Sequence, residues 1–405
     1  MRSLAVLSLH TSPLAQPGTG DAGGMNVYVR ELSTALARAG VVCEVFTRAD
    51  DPNLPSVVQV EPGFRVHHIP AGPAGPVSRI DLPEVVPSFT AGVLDRLAGS
   101  QVDLLHANYW LSGVAGHALK HELDLPLVST FHTLARVKAE GGDTEPLDRV
   151  RAEHEVMACS DAVLASCSVE AAQLREFYGV EPERIELVPP AVDHAFFAPG
   201  HRGQARRALG LPEHRPVALF VGRIQPLKGL DVAIGALAAL RARPDAVLVV
   251  VGGPSGPDGG AEFARVHELA QTAGVSDRIV WRPAQRHELL STYYRAADVV
   301  LVPSRSESFG LVALEAAACG TPVVAAAVGG LRTLVDHGRT GFLIEGRDPA
   351  AFATFVERIL ADPVASQAMG AAAAKQASRY QWSLSAARLR RLYGELSARA
   401  LTSCQ

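Results

Sequence analysis

The sequence is poor in cysteine, in net charge and in long apolar runs. Its five cysteines include no Cys-x-x-Cys pair, and its fourteen histidines include no His-Glu-x-x-His motif. These absences argue against a zinc site and favour buried thiols in a reducing, cytoplasmic environment. The formal net charge of −4 is unlike the strongly basic surface of a nucleic-acid-binding protein. We therefore expect no nucleic-acid partner.

No segment predicts a membrane span. The longest uncharged run, residues 316–331, contains glycine and proline and is shorter than the roughly 20 apolar residues that a spanning helix needs. The apolar run at residues 4–9 is shorter than the core of a signal peptide, so it predicts a first strand instead.

What the sequence does contain is an alternation of short apolar runs and helical patterns. A chain of 405 residues, 48% of them hydrophobic, exceeds what one core usually holds, so two domains are expected. Strands separated by helices predict parallel sheets that are covered on both faces. The strand-like runs lie at residues 4–9, 41–46, 64–69, 102–106, 127–131, 162–165, 185–188, 217–221, 247–251, 279–281, 299–302, 323–326 and 341–344.

A proline-containing stretch at residues 189–199 interrupts this alternation. We therefore predict an α/β protein with two doubly wound, Rossmann-like domains, at residues 1–188 and 200–381, joined by a linker at 189–199. A helix at about 382–405 is expected to pack back on the first domain. Ligands of such sheets bind outside the carboxyl ends of the strands. The two domains are accordingly expected to face a central cleft.

A glycine-rich loop follows the first predicted strand. Gly18, Gly20 and Gly23 match the Gly-x-Gly-x-x-Gly motif of dinucleotide-binding domains. That motif starts directly after a strand, and an acidic residue ends the next strand. Here the glycines come well beyond the strand, and the next strand runs into Thr47 and Arg48, so NAD is not expected. The loop is interpreted either as a place where backbone approaches an anionic ligand at a helix N-terminus, or as an ordinary surface loop.

Charged residues follow two strands of the predicted second domain. Arg223 and Lys228, flanked by glycines, favour an anionic ligand such as a diphosphate, although Lys228 could also be an exposed charge on a turn. Glu307 precedes a helix, and Glu315 lies within it among apolar residues that predict burial. A buried carboxylate needs partners, and hydroxyl groups of a ligand suit that need. The alternative is a solvated helix glutamate.

These motifs resemble those of the retaining glycosyltransferases of family 4, whose fold is called GT-B. The resemblance covers essentially the whole chain, and its broad part rests on Gly222-Arg223, Lys228-Gly229, Glu307 and Glu315. The loop at residues 10–28 and the segments at 107–113, 130–135 and 252–257 resemble the branch of that family that transfers a sugar to an inositol phosphate in mycothiol biosynthesis.

The resemblance implies a hexosyltransferase that moves N-acetylglucosamine from UDP-N-acetylglucosamine to 1D-myo-inositol 3-phosphate, with no organic cofactor. It implies donor contacts at Gln16, Pro17, Gly24, Arg223, Lys228, Ala284, Glu307 and Glu315. It implies acceptor contacts at His10, Asp21, Ala22, Gly23, Gly24, Met25, Asn26, Arg79, Tyr109, Thr133 and Arg149.

The catalytic residues that the resemblance implies are His132, Arg223, Lys228 and Glu307. No paired carboxylates obviously flank a sugar, as a double displacement would need. The family instead implies attack on the face that the phosphate leaves, with Arg223 and Lys228 stabilising charge on UDP. His132 would hold the 6-hydroxyl of the sugar. A lone histidine is more often structural, and that interpretation stays open.

For the two arginines expected to bind the acceptor phosphate, the sequence leaves alternatives open. The family commonly has lysine at the first of them, where this sequence has Arg79, so the charge is kept but the geometry can differ. A short deletion leaves Arg149 or Arg151 as the second. Two solvated surface arginines are the alternative to a phosphate pocket.

The resemblance also implies a magnesium ion and, as a further partner, a second copy of the chain in a homodimer. Carbonyl groups near Tyr294, Arg295 and Ala297, together with Thr321, would hold the ion. No aspartate cluster indicates a catalytic metal site.

Two other functions stay open. One is a related family 4 transferase with another UDP- or GDP-sugar or another acceptor, for which the cationic acceptor pocket would be lost. The other is a non-catalytic nucleotide-sugar-binding protein. The presence of Arg223, Lys228, Glu307, Glu315 and His132 argues against the second.

Overall fold

The computed structural model describes residues 2–142, 145–256 and 259–404. The chain divides into two compact units. The first contains Met1–Ala15, Met25–Pro189 and Trp382–Gln405, and the second contains Gln16–Gly24 and Pro190–Gln381. The segment Gln16–Gly24 therefore groups with the second unit, whereas the sequence assigned it to the first domain.

The first unit is built on an eight-stranded sheet flanked by helices. Its elements are β1 (Ser3–Leu7), α1 (Gly24–Arg38), β2 (Val42–Arg48), β3 (Val57–Glu61), β4 (Phe64–Ile69), α2 (Val86–Leu97), β5 (Leu104–Asn108), α3 (Trp110–Leu123), β6 (Leu127–Thr130), α4 (Ala135–Glu140), α5 (Leu147–Cys159), β7 (Ala162–Ala165), α6 (Ser168–Tyr178) and β8 (Ile185–Leu187). The spatial order is β3-β4-β2-β1-β5-β6-β7-β8, and only β3 runs antiparallel to its neighbour. The apolar runs of β1, β5 and β6 are buried, as expected for central strands with helices on both faces.

The strand β3 was not predicted from the sequence. It lies at the edge of the sheet, where its residues are half-buried or exposed, and it pairs with β4 across the turn at Pro62-Gly63. An edge strand of this kind carries no continuous apolar run, so it lacks the signal that revealed the buried strands.

The second unit contains a six-stranded sheet whose described pairings are all parallel. Its elements are α7 (Arg202–Leu209), β9 (Val217–Val221), α8 (Leu230–Ala239), β10 (Val247–Val251), α9 (Gly259–Thr272), β11 (Ile279–Arg282), α10 (His287–Ala296), β12 (Val299–Val302), α11 (Leu311–Ala318), β13 (Val323–Ala326), α12 (Leu331–Leu334), β14 (Gly341–Ile344), α13 (Pro349–Ala361) and α14 (Pro363–Ala377). The order is β11-β10-β9-β12-β13-β14. The predicted α/β class with two doubly wound sheets is confirmed.

A final helix, α15 (Trp382–Leu396), belongs to the first unit. It buries Trp382, Leu389 and Tyr393, and the Tyr393 hydroxyl lies 2.8 Å from Nδ1 of His106 on β5. The prediction of a helix to about residue 405 is wrong beyond Leu396. The following residues leave the helix and run to Cys404 without regular structure.

The prediction that all five cysteines are free thiols is wrong for two of them. Cys159, at the end of α5, is joined to Cys404 by a disulfide, whereas Cys43, Cys167 and Cys319 are buried thiols. The two partners are separated by 245 residues, and no local spacing in the sequence could reveal that contact. Across the described ranges, no helix has the length and apolar character needed to cross a membrane.

Candidate active site

In the second sheet, the strand order reverses between β9 and β12, and ligands of doubly wound sheets bind at such a reversal. Arg223 and Lys228 follow β9, and Glu307 follows β12. Because both strands are parallel, these residues emerge at the same edge of the sheet. The predicted donor cations and carboxylate therefore share one location.

Lys228 and Glu307 contact each other directly. Nζ of Lys228 donates to Oε2 of Glu307 at 2.7 Å, and the hydroxyl of Ser304 donates to the same oxygen at 3.2 Å. Both side chains are partly buried, with 24% and 19% exposed. A lysine held in this way is an oriented cation rather than a freely rotating charge on a turn.

A glycine allows the two loops to approach each other. Gly229 has a φ of +74°, and a Cβ atom at this position would lie 2.2 Å from the carbonyl oxygen of Pro303. Any side chain here would push the loop after β9 away from the loop after β12. The Lys-Gly pair of the motif thus sets the distance between the donor cation and Glu307.

The segment Gln16–Gly24 joins this group within the second unit. Nε2 of Gln16 donates to the carbonyl of Ala284 at 3.0 Å, and a guanidinium nitrogen of Arg223 lies 3.4 Å from the carbonyl of Asp21. The hydroxyl of Ser255, in the segment 252–257 that carries part of the family resemblance, donates to the carbonyl of Gly20.

All the predicted donor residues consequently fall in one unit: Gln16, Pro17, Gly24, Arg223, Lys228, Ala284, Glu307 and Glu315. Within the loop, the amide of Gly18 donates to the carbonyl of Ala22 at 2.9 Å. The strand β1 ends at Leu7, well before these glycines, so the loop lacks the context of a dinucleotide motif. Of the segment at 252–257, Pro257 lies outside the described residues.

Glu315 is buried in α11, as its neighbours predicted, and has two partners that the sequence did not reveal. Its Oε2 accepts from the Tyr294 hydroxyl at 2.6 Å, and its Oε1 lies 2.7 Å from Nε2 of His287. Burial, with the adjacent carboxylate of Glu315, raises the pKa of Tyr294 well above its ordinary value, which keeps the hydroxyl a donor. His287 and Tyr294 are seven residues apart on α10 and therefore share one helical face, a signal that could have been read from the sequence.

The residues expected to hold magnesium form a compact hydrogen-bonded turn. The Thr321 hydroxyl donates to the carbonyl of Tyr294 at 2.7 Å, and the amide of Ala297 contacts the same carbonyl at 3.2 Å. The side chain of Arg295 donates to the carbonyl of Ala198. This set offers no carboxylate, the ligand that magnesium prefers in proteins, and its central carbonyl already accepts two hydrogen bonds. The donor set fits magnesium poorly, so the ion stays a prediction from the resemblance and the proposed reaction does not use it.

In the first sheet, the strand order reverses between β1 and β5. His10 follows β1 and Tyr109 follows β5, and their ring centroids are 5.0 Å apart. Two predicted site residues, Tyr109 and His132, have left-handed backbone, with φ of 77° and 61°. Such conformations are costly for residues other than glycine and concentrate at functional sites.

His132 lies beside the end of β5. Its Nε2 is 2.9 Å from Oδ1 of Asn108, and its ring packs edge-on against Tyr28 with centroids 4.9 Å apart. Burial, with a smaller effect of His106, lowers the pKa of His132 to about 3. The imidazole is therefore neutral at physiological pH, and Nε2 donates its proton to Asn108.

The structure brings Arg149, rather than Arg151, to the predicted acceptor residues. The guanidinium of Arg149 lies over the Tyr109 ring, 5.2 Å from its centroid. It also donates to the carbonyl and the hydroxyl of Thr133 at 2.9 and 3.1 Å. Arg151 has a 72% exposed side chain and lies 3.6 Å from Asp148. Arg149 is thus the arginine that can act with Tyr109 and Thr133.

Two glutamates that the sequence did not single out surround this arginine. Arg149 contacts Oε2 of Glu145 at 2.7 Å and Oε1 of Glu153 at 2.8 Å. Glu145 also pairs with Lys138. Glu153 accepts in addition from the amide of Ala135. The two cations and two carboxylates balance in charge, so an anion could bind here only if one carboxylate moved away.

The other predicted acceptor residues are distributed over both units. Asn26, in the first unit, donates from Nδ2 to the hydroxyl of Thr11 at 2.9 Å and to the carbonyl of Ser12 at 2.6 Å. Arg79 lies on an exposed turn after β4, and its part in an acceptor site stays a prediction. Met25 also belongs to the first unit, whereas Asp21, Ala22, Gly23 and Gly24 belong to the second.

We predict that two buried histidines make the folded protein less stable in mild acid. Burial lowers the pKa values of His106 and His132 to about 3, whereas an unfolded chain titrates near 6.5. Between these values the unfolded chain binds protons that the folded chain does not, so stability decreases as pH falls from about 6.5, by up to about 1.4 kcal/mol per pH unit for each histidine. We expect the melting temperature to drop between pH 7 and pH 5, and to drop less in His106→Gln.

The matched control for this measurement is His154→Gln, since His154 is exposed on α5. This control should keep the full pH dependence. The same steep dependence in His106→Gln would show that His106 is not a source of it.

Two family models match the chain. Residues 23–191 match the glycosyl transferase 4-like domain, and residues 201–376 match the glycosyl transferases group 1. A sucrose-phosphate synthase from Thermosynechococcus elongatus is 36% identical, with a TM-score of 0.93 over 98% of this chain and 100% of that one. Anabaena HepE, solved in complex with UDP and glucose, has a TM-score of 0.80 at 20% identity over 98% of this chain and 100% of that one. Fold and matches together define a glycosyltransferase of the GT-B class.

Relatives of higher identity narrow the class. The D-inositol 3-phosphate glycosyltransferase of Xylanimonas cellulosilytica is 48% identical over 98% of this chain and 97% of its own length. That of Thermobispora bispora is 46% identical over 97% and 94%, respectively. The chain belongs to the family of the D-inositol 3-phosphate glycosyltransferases.

Proposed function

We propose that the protein is a retaining hexosyltransferase that transfers N-acetylglucosamine from UDP-N-acetylglucosamine to 1D-myo-inositol 3-phosphate, the first step of mycothiol biosynthesis. The observation that carries this proposal is the identity of 46–48% with relatives of that name over nearly their whole length. The geometry of the two candidate substrate sites supports it.

The proposed reaction exchanges one bond at the anomeric carbon for another. The bond to the β-phosphate oxygen of UDP breaks, and a bond to an acceptor hydroxyl oxygen forms on the same face of the sugar. The hydroxyl proton passes to the departing phosphate oxygen. Arg223 and Lys228 stabilise the negative charge that grows on UDP, and this electrostatic effect is the main contribution of the protein.

The remaining donor residues position the nucleotide sugar. Glu315, held by His287 and Tyr294, accepts from the ribose hydroxyls. Glu307 orients Lys228 and, with the first amides of α11, holds the sugar. Neutral His132 contacts the 6-hydroxyl of the sugar, and because it carries no charge it does not repel positive charge developing at the anomeric carbon.

The acceptor phosphate binds at Arg149, Thr133, Tyr109 and Lys138 in this proposal. Glu145 occupies the position of the anion, since it bridges Lys138 and Arg149. The phosphate takes over both cations and Glu145 moves to solvent. Glu153, fully buried, stays and orients the guanidinium.

Removal of the Glu145 charge is expected to improve acceptor binding. In Glu145→Gln, the competing carboxylate is replaced by a neutral amide, so the Michaelis constant for inositol phosphate should fall by about tenfold, the effect of roughly one weakened charge-assisted bond. The constant for the UDP-sugar should not change. Steady-state kinetics with each substrate varied in turn measures both.

Asp148→Asn is the matched control, because Asp148 lies three residues after Glu145, in the first turn of α5, and has a 90% exposed side chain. It should leave both constants unchanged. A higher constant for inositol phosphate in Glu145→Gln would mean that Glu145 supports the phosphate site rather than occupying it.

A homodimer and a cytoplasmic location belong to the proposal as properties that the family resemblance implies, whereas magnesium, which the residues fit poorly, stays a prediction from the resemblance alone. None of them enters the reaction steps above. Sedimentation of the purified protein tests the dimer, and activity after treatment with a chelator tests the requirement for magnesium.

Release of UDP tests the proposed function. The purified protein is incubated with UDP-N-acetylglucosamine, UDP-glucose or a GDP-sugar, each with inositol 3-phosphate, with free inositol or without acceptor. We expect rapid UDP release with UDP-N-acetylglucosamine and inositol 3-phosphate. Tight binding of the nucleotide sugar without turnover on any acceptor would instead establish a binding protein.

A second candidate function is transfer to a hexose phosphate. It is favoured by the TM-score of 0.93 and identity of 36% with a sucrose-phosphate synthase. A hexose phosphate offers the same phosphate charge to Arg149. Adding fructose 6-phosphate as a further acceptor distinguishes the two, and faster UDP release with it than with inositol 3-phosphate would assign this second function.

A further inference from the structure

Four side chains with metal-binding atoms converge in the first unit, and none of them is among the predicted substrate-binding residues. His117 and His121 lie on α3, Cys159 ends α5, and Cys404 lies in the C-terminal segment. One ligand atom from each lies within 4.8 Å of the others. Among the described histidine, cysteine, aspartate and glutamate side chains, these four lie close enough together to hold a metal ion.

The distances match a tetrahedral ion bound by sulfur and nitrogen. Sγ of Cys404 lies 3.2 Å from Nε2 of His121 and 3.7 Å from Nε2 of His117. A zinc ion with bonds of about 2.3 Å to sulfur and 2.0 Å to nitrogen separates the two kinds of ligand by about 3.6 Å. The two histidines are four residues apart on one helical face, a spacing that allows both rings to reach one ion.

The C-terminal segment is held in place independently of its cysteine. The amide of Thr402 donates to Oδ1 of Asp161 at 2.6 Å. Asp161 is buried, and its Oδ2 accepts from Lys120, also buried, at 2.8 Å. Lys120 in turn donates to the carbonyl of Cys159. This network fixes the chain two residues before Cys404, and so aims its sulfur at α3.

We propose that the reduced protein binds one zinc ion through His117, His121, Cys159 and Cys404, and that the disulfide recorded in the structure is the alternative, metal-free state of the same four residues. Two thiolates balance the double positive charge of the ion, and with two neutral imidazoles they form the Cys2His2 set of structural zinc sites. The ion ties the C-terminal segment to α3 and α5.

The disulfide state converts to the zinc-bound state by defined chemistry. A dithiol or phosphine reductant supplies two electrons to the Cys159–Cys404 bond, which becomes two thiols, and the reductant is oxidised to its disulfide or phosphine oxide. Zinc then replaces the two thiol protons, which pass to solvent.

Cobalt titration tests this site without reference to activity. The full chain, reduced with a phosphine in metal-free buffer, is titrated with Co2+ and then with Zn2+. We expect one cobalt per chain with thiolate-to-metal charge-transfer absorption and the strong visible bands of tetrahedral geometry, displaced by one equivalent of zinc. The oxidised, disulfide-containing chain should show none of these bands.

Variants separate the four ligands from other thiols and imidazoles. Cys404→Ser, near the end of the chain, should remove most of the charge-transfer absorption, and His121→Ala, at an exposed position, should weaken cobalt binding by about tenfold or more. Cys167→Ser and His154→Ala are matched controls outside the cluster and should bind as the unmodified chain does, with circular dichroism confirming that all variants are folded.

Two results would overturn the proposal. One is a reduced, folded chain that shows no charge-transfer absorption with cobalt. The other is equal binding by Cys404→Ser and the unmodified chain, which would place the metal elsewhere.

Discussion

Replacing Lys228 with methionine, or Arg223 with alanine, is expected to lower turnover by about a hundredfold or more while the fold is retained. In the proposed reaction, each cation faces the position where charge grows on the departing diphosphate. Removal of one such donor from an enzyme costs about 3–4 kcal/mol of transition-state stabilisation, and each 1.36 kcal/mol is a factor of ten in rate. UDP release at saturating substrate concentrations measures the effect.

The two variants should differ in their effect on neighbouring groups. Lys228→Met leaves Glu307 without its 2.7 Å partner, so in the proposed reaction the position of the sugar is disturbed together with the leaving group. Arg241→Ala is the matched control, because Arg241 is an exposed arginine of the same unit, between α8 and β10. Turnover near that of the unmodified protein in both variants would exclude Arg223 and Lys228 from leaving-group stabilisation.

The buried strands could be predicted because their signal is local. Runs such as Val217–Val221 and Val247–Val251 are continuous and apolar, and central strands of parallel sheets need apolar residues on both faces. The position of Arg223 could be predicted for the same reason, because it directly follows a recognisable strand. The half-exposed edge strand β3 lacks such a run and was missed.

The contacts that the sequence did not reveal join residues far apart in the chain. Cys159 meets Cys404, His287 meets Glu315, and Glu145 bridges Lys138 and Arg149. Periodicity reports which face of an element is apolar, but not which polar groups meet when elements pack. The neutral state of His132 likewise depends on burial, which a single residue in a sequence does not report.

The choice between a phosphate pocket and a pair of solvated arginines depends on Arg149. Its side chain is buried and in contact with Tyr109 and Thr133, so it is not a solvated cation. Replacement by alanine would leave the Glu153 carboxylate buried without its cationic partner, and breaking a buried ion pair in this way typically costs 3–5 kcal/mol of stability, roughly enough to unfold a marginal protein. Lysine keeps the charge and loses the forked geometry, so Arg149→Lys is the informative variant.

We expect Arg149→Lys to raise the Michaelis constant for inositol 3-phosphate by about tenfold or more and to leave the constant for the UDP-sugar unchanged, with Arg151→Lys as the exposed control.

For the unmodified protein, free inositol should be a poorer acceptor by about a hundredfold or more in kcat/KM, since it loses two or more charge-assisted bonds of about 1.5–3 kcal/mol each. Work near pH 5 should weaken acceptor binding in the same direction, because the second pKa of a phosphate monoester is about 6. Equal use of inositol and inositol phosphate would remove the phosphate pocket from the proposal, but a UDP-sugar transferase that relies on Arg223 and Lys228 would remain, because those residues act on the donor alone.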